Sequence, residues 1–242
     1  MRIIRRLLSI AVAFVLVGAY LTHSTTGLAG LLSAPPTPHV PLTGTYMATD
    51  NQRPVSWNPC APIDYVVNFT NAPPFASSDL ARAISMLELA TGFHFVYTGS
   101  TSVVPSSSWA LSKRLGRSSW APLIIAFASH NQTNMFTYGA DQLGSGGSAW
   151  VNSPRGKVDV SGAVVIDDQT KYLPGFGSGL RLGTLFLHEL GHVLGLAEGP
   201  DPSSFTYQYL GVTNQTITPL DRAHLRTLSQ GGCRPAPAPS WA

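Results

Sequence analysis

The spacing of apolar and polar positions divides the chain into strand and helix signals that follow one another at short intervals. Residues 63–69 are apolar and rich in β-formers, and predict a first strand. Ser78 and Asp79 then open a helical pattern in which Leu80, Ile84, Leu87 and Ala90 share one face, and Gly92 is placed to end it. Residues 93–97 alternate and predict a second strand. Residues 123–128 form an unbroken apolar run suited to a buried central strand. Gly144, Gly146 and Gly147 read as a flexible turn before an edge strand at 149–152, and residues 158–167 give a further strand. Residues 180–196 are the strongest helix candidate. A last helix has a good start at Thr218, Pro219 and Asp221: a cap, a proline in the first turn, and an acid near the positive end of the helix dipole. It runs to about Ser229, and Gly231 stops it. This order predicts an α+β domain, a mixed sheet with helices packed on one side.

The two ends read differently. Arg2, Arg5 and Arg6 precede an apolar run at 7–21, so residues 1–30 read as an export signal, with an uncleaved N-terminal anchor as the alternative. The run is shorter than the roughly 20 residues of a membrane span. Residues 31–56 are rich in Pro, Ser and Thr and read as a linker or short pro-segment. The folded domain is expected at 57–233, and the Pro/Ala-rich tail at 234–242 is expected to be disordered.

Composition then removes some function classes. Apolar residues make up 44% of the chain and charged ones 11%, which is globular rather than disordered. The net charge of +3 equals the three arginines of the N-terminal segment, so the remainder is neutral and carries no basic field for nucleic acid. Lys113, Arg114 and Arg117 read as a solvated loop. The glycine cluster at 144–147 lacks the Lys-Ser/Thr of a phosphate loop. Export favours a disulfide between Cys60 and Cys233, the only cysteines; the rival reading has Cys60 masking a metal as a thiolate.

One stretch carries chemistry. His188 and His192 are four apart, so on a helix both imidazoles fall on one face and reach one metal ion. Glu189 projects beside them, where a carboxylate can take a proton from attacking water and pass it to a leaving amine. Leu185, Leu187, Leu190, Val193 and Leu194 make the helix mostly buried, and buried imidazoles and carboxylates need partners that a metal supplies.

The run from His188 to Glu198, His-Glu-Leu-Gly-His-Val-Leu-Gly-Leu-Ala-Glu, resembles the metzincin zinc peptidases, and among them the matrixin-like group. Trp57-Asn58-Pro59-Cys60, Ala90-Thr91-Gly92-Phe93 and Trp120-Ala121-Pro122 are similar to landmarks of secreted bacterial members, so the likeness spans about 57–233. It implies a twisted mixed sheet with an active-site helix, a second packed helix and a C-terminal helix. It further implies one catalytic zinc held by His188, His192 and a third ligand, with Glu189 as general base. Gly195 stands where that family turns sharply out of the helix. Glu198 occupies the third-ligand position, usually His, and Asp201 is the backup. Residues 201–207 align with the family's methionine turn, with Thr206 where Met is expected; Tyr207 there is a packing aromatic or an oxyanion donor. A peptide or protein substrate would lie along the edge strand at 149–152. The expectation is a secreted monomeric metalloendopeptidase, with a non-catalytic zinc-binding module as the alternative. Asp167 and Asp168 are positioned for calcium, as in some matrixins, but a solvated turn is the simpler reading. His94 falls in a predicted strand and reads as structural, and His130 and His224 lack partners at ligand spacing.

Overall fold

A computed structural model describes residues 45–111 and 119–240. The N-terminal segment at 1–30, residues 31–44, and Lys113, Arg114 and Arg117 lie outside the described residues. The architecture is mixed α/β, with a mostly parallel sheet and three α-helices among the described residues. A small antiparallel pair, β1 (Thr49–Asp50) and β2 (Arg53–Pro54), leads into β3 (Ser56–Trp57). Then follow β4 (Ile63–Asn68), α1 (Ala76–Thr91), β5 (Phe95–Ser100), β6 (Leu123–Ala128), β7 (Gly144–Ser153), β8 (Gly156–Asp167), α2 (Leu182–Leu194) and α3 (Pro219–Ser229).

The sheet is parallel through β5, β4, β6 and β8. β7 runs antiparallel along one edge of β8. The other edge of β8 is shared: β6 pairs with its second half and β3 with Val158 and Asp159. β7 is therefore the edge strand on this side, with β8 its one partner among the described residues. The helices cover one face, where Leu87 of α1, Phe186 and Leu190 of α2 and Leu228 of α3 pack on Ile125, Phe127, Val164 and Ile166. The opposite face is covered by loop residues, with Trp109 and Met135 against Ile124, Ala163 and Val165. Helices on one side match the apolar patterning, because β6 and β8 are buried on both faces.

Three expectations are corrected. Ser78 and Asp79 do not start α1; it begins at Ala76, and Asp79 instead accepts a hydrogen bond from the Gly175 amide at 2.8 Å, anchoring the loop ahead of α2. The glycines at 144–147 are not a turn but part of β7. The tail, expected to be disordered, packs on the domain at Arg234 and Pro237. Arg234 is buried and donates to Ser56 Oγ at 2.7 Å, and the Trp120 indole donates to the Pro237 carbonyl at 2.9 Å. The start of α3 is as expected, with a reciprocal capping box between Thr218 and Asp221.

Cys60 and Cys233 form a disulfide across 173 residues of sequence, so the thiolate-mask reading of Cys60 is set aside. It ties the loop after β3 to the segment after α3. Closing so long a loop contributes about 2–5 kcal/mol. Replacing both cysteines by serine is expected to lower Tm by about 10 °C in calorimetry, at the 2–4 °C per kcal/mol usual for this size. An unchanged Tm would show that the bridge adds nothing to the folded state.

Candidate metal centre

α2 is buried along its whole length, so every polar group on it must be satisfied inside the protein. His188 and His192 are both fully buried, and their rings meet edge to face at 4.6 Å. Each Nδ1 lies against a backbone carbonyl: His188 against Phe205 at 2.9 Å and His192 against Leu196 at 2.8 Å. A carbonyl only accepts, so both Nδ1 atoms carry protons. In neutral rings that leaves both Nε2 atoms as lone pairs, and they face each other at 3.0 Å. Two lone pairs at that distance repel unless a proton on one ring or a metal ion lies between them.

A third electron-rich group points to the same place. Glu198 Oε1 lies 3.6 Å from His188 Nε2 and 3.5 Å from His192 Nε2. Glu198 is only 8% exposed, and neither carboxylate oxygen makes a hydrogen bond. Burial works against its ionisation, but His188 and His192 hold its pKa below the ordinary carboxylate value. The electrostatics of His188 mirror this. Burial alone would lower its pKa; the carboxylates of Glu198 and Glu189 and the bond to Phe205 outweigh burial and raise it to about 9. Two imidazole nitrogens and a buried carboxylate form a donor set suited to a divalent cation, and the convergence of these atoms fits one ion.

Glu189 also lies within 4.8 Å of the imidazoles, so two carboxylates compete for the third position. Direction decides between them. Glu189 follows His188 directly, about 100° around the helix, and extends toward β7. Its Oε1 would lie 2.4 Å from a Cβ at Gly144 and its backbone oxygen 2.3 Å from one at Gly146. The glycines of β7 therefore exist for close approach: α2 packs backbone to backbone on the edge strand, with the Glu189 carboxylate beside it. Glu198 is aimed at both Nε2 atoms, whereas Glu189 stands next to them against β7.

The turn that delivers Glu198 depends on Gly195, which caps α2 in the left-handed region at φ 110°. Beyond it, the Gly199 amide donates to the Thr206 carbonyl at 3.0 Å. This places residues 203–207 under the centre, with Phe205 supplying the carbonyl that orients His188. Thr206 is buried and bonded to Ser204 Oγ at 2.9 Å. Asp201, the backup ligand, is not brought to the site. It is exposed, and its Oδ1 accepts from the Ser203 amide and hydroxyl at 2.9 and 2.8 Å, closing its own turn.

Other candidates lie elsewhere. His94 pairs with Glu88, His130 stacks on Phe136, and His224 packs against Tyr46. Asp167 accepts from Thr170, and Asp168 from Asn71 and Gln169, which suits a closed turn.

A buried acid that the sequence did not single out lies close by. Asp159 lines a small cavity together with His192, Gly195, Met47, Ser148 and Trp150. Its Oδ1 accepts from Ser148 Oγ at 2.9 Å, while Oδ2 has no partner. Burial raises its pKa to about 7, against the opposing influence of Ser148 and Arg234. The folded protein thus keeps a proton that the unfolded chain loses near pH 4, and stability falls as pH rises from about 4 to 7. Asp159→Asn keeps an acceptor for Ser148 and removes this penalty, on the order of a few kcal/mol. It is expected to raise Tm by about 5 °C or more at pH 8 and to leave it unchanged at pH 4. Equal shifts at both pH values would rule out titration of Asp159 as the cause.

The chain matches no protein-family model, and no curated protein matches its sequence. The functional reading therefore rests on the geometry of the site.

Proposed function

We propose that this chain is a zinc-dependent metalloendopeptidase of metzincin, matrixin-like type. The observation that carries the reading is the convergence of His188 Nε2, His192 Nε2 and the Glu198 carboxylate on one point, with Glu189 beside it against an edge strand. His188, His192 and Glu198 would hold the ion. Bound there, zinc supplies Lewis acidity that lowers the pKa of water and polarises a peptide carbonyl. Glu189 takes the proton from the attacking water and returns it to the leaving amine. β7, which pairs only with β8 among the described residues, would receive the substrate main chain as an added strand and set the scissile bond beside α2. Thr206 in place of methionine changes packing under the centre and removes no ligand.

The Cys60–Cys233 disulfide agrees with an oxidising compartment, and the N-terminal apolar segment provides the route to it. No helix among the described residues is long and apolar enough to cross a membrane. We place the protein outside the cytoplasm, secreted or held by its N-terminal segment, acting as a monomer on protein or peptide. The neutral domain gives no support for nucleic acid as a partner, and the turn at Asp167 and Asp168 none for calcium.

A second reading is favoured by one observation, the complete burial of both imidazoles. A domain that holds zinc and binds a protein without cleaving it would show this too. The test is hydrolysis of a peptide library by the zinc-loaded protein beside its Glu189→Gln variant. Turnover that vanishes in the variant supports the peptidase. Full zinc with no turnover supports the binding module.

A further inference from the structure

Residues 45–47 precede the expected domain start at Trp57, yet they are paired with the segment that carries the third ligand. The Thr45 carbonyl accepts from the Ala197 amide at 3.1 Å, Tyr46 forms an antiparallel bridge with Leu196, and the Met47 amide donates to the Gly195 carbonyl at 2.8 Å. Three consecutive residues of the exit turn are thus held by three consecutive residues of this strap, and Glu198 is the next residue. The strap is anchored in turn. The Tyr46 ring packs edge-on to His224 of α3 with centroids 6.0 Å apart, and the Ala48 carbonyl accepts from the Val55 amide at 2.9 Å. Apart from its ion pairs with the two imidazoles the Glu198 side chain makes no hydrogen bond, so the backbone that carries it decides whether it reaches them. That backbone is held by the strap before it and by the Gly199–Thr206 bond after it.

We propose that residues 45–47 are a positioning strap that fixes Glu198 for metal binding. The proposal rests on reading Glu198 as the third ligand. It has a consequence for maturation: any N-terminal cut that preserves a working site falls before Thr45, because a cut beyond Met47 would release the exit turn.

The test is a double-mutant cycle in the full chain, with the zinc dissociation constant measured by chelator competition. Met47→Pro removes the N–H that bonds Gly195. It is expected to weaken zinc binding about 10–100-fold, the range for groups that orient a ligand. Glu198→Ala is expected to weaken binding at least as much. The double variant should bind about as weakly as Glu198→Ala alone, because the strap acts through Glu198. Unchanged affinity in Met47→Pro, or losses that multiply in the double variant, would overturn the strap. Unchanged affinity in Glu198→Ala would overturn the ligand assignment, and the strap with it. If Met47→Pro does not fold, Tyr46→Gly, which keeps the N–H groups and loosens the strap, carries the same cycle with the same outcomes.

Discussion

Glu189→Gln is expected to retain one zinc per chain and to lose about 10²–10⁴-fold in kcat/KM for peptide hydrolysis. That is the range for removal of a general acid–base group. The amide has nearly the shape of the carboxylate but cannot accept the proton of the attacking water. The imidazoles and Glu198 are untouched by the change, so metal content separates a lost base from a lost ligand. Glu189 lies beside the imidazoles and against β7, and the proposed mechanism gives it a different task from Glu198. If the variant kept full turnover, Glu189 would have no part in the chemistry. If it lost zinc, Glu189 would be a ligand.

A large structural effect is expected at Gly146. A Cβ there would stand 2.3 Å from the Glu189 carbonyl oxygen and 2.9 Å from its carbon, both backbone atoms of a fully buried helix. Neither element can move without opening the core, so Gly146→Ala is expected to destabilise by about 1–3 kcal/mol or more. Tm should fall by about 5–10 °C. Gly144→Ala offers the contrast. Its new methyl would meet the Glu189 side chain, with Oε1 at 2.4 Å and Cγ at 3.0 Å, so the carboxylate must shift while the two backbones stay in place. It should therefore cost little stability and much activity. Thermal melts and peptide assays of the two variants separate the roles. A Gly146→Ala protein as stable as the parent would show that α2 and β7 are not in backbone contact.

The helix that carries the candidate metal centre was legible in the sequence because spacing alone places His188 and His192 on one helical face. Gly195 could be read for the same local reason: a chain leaving a helix sharply needs a residue tolerant of positive φ. The capping box at Thr218 and Asp221 is also local, and it is found as read. Features that depend on distant partners were not legible. Gly144, Gly146 and Gly147 have the composition of a turn, yet they lie in a strand because α2 must approach it closely. Residues 45–56 and the segment after Cys233 have the composition of linkers. They are ordered by pairing with residues 195–197, by the disulfide and by Arg234, and none of these contacts has a sequence period. Asp79 reads as a helix start, but a loop amide 96 residues away takes its carboxylate. At the third ligand, the sequence offered Glu198 and Asp201 as rivals. The distinction needed the position of each carboxylate, since both follow the same turn.

The central claim is that His188, His192 and Glu198 together hold one zinc ion. Metal analysis of the purified chain with zinc-edge X-ray absorption tests it most directly. The predicted result is one zinc per chain with two imidazole nitrogens and oxygen donors at about 2.0–2.2 Å. The Glu198→Ala protein should lose an oxygen donor from that shell and keep both nitrogens. Well under one zinc per chain, or a coordination shell identical in parent and Glu198→Ala, would contradict it.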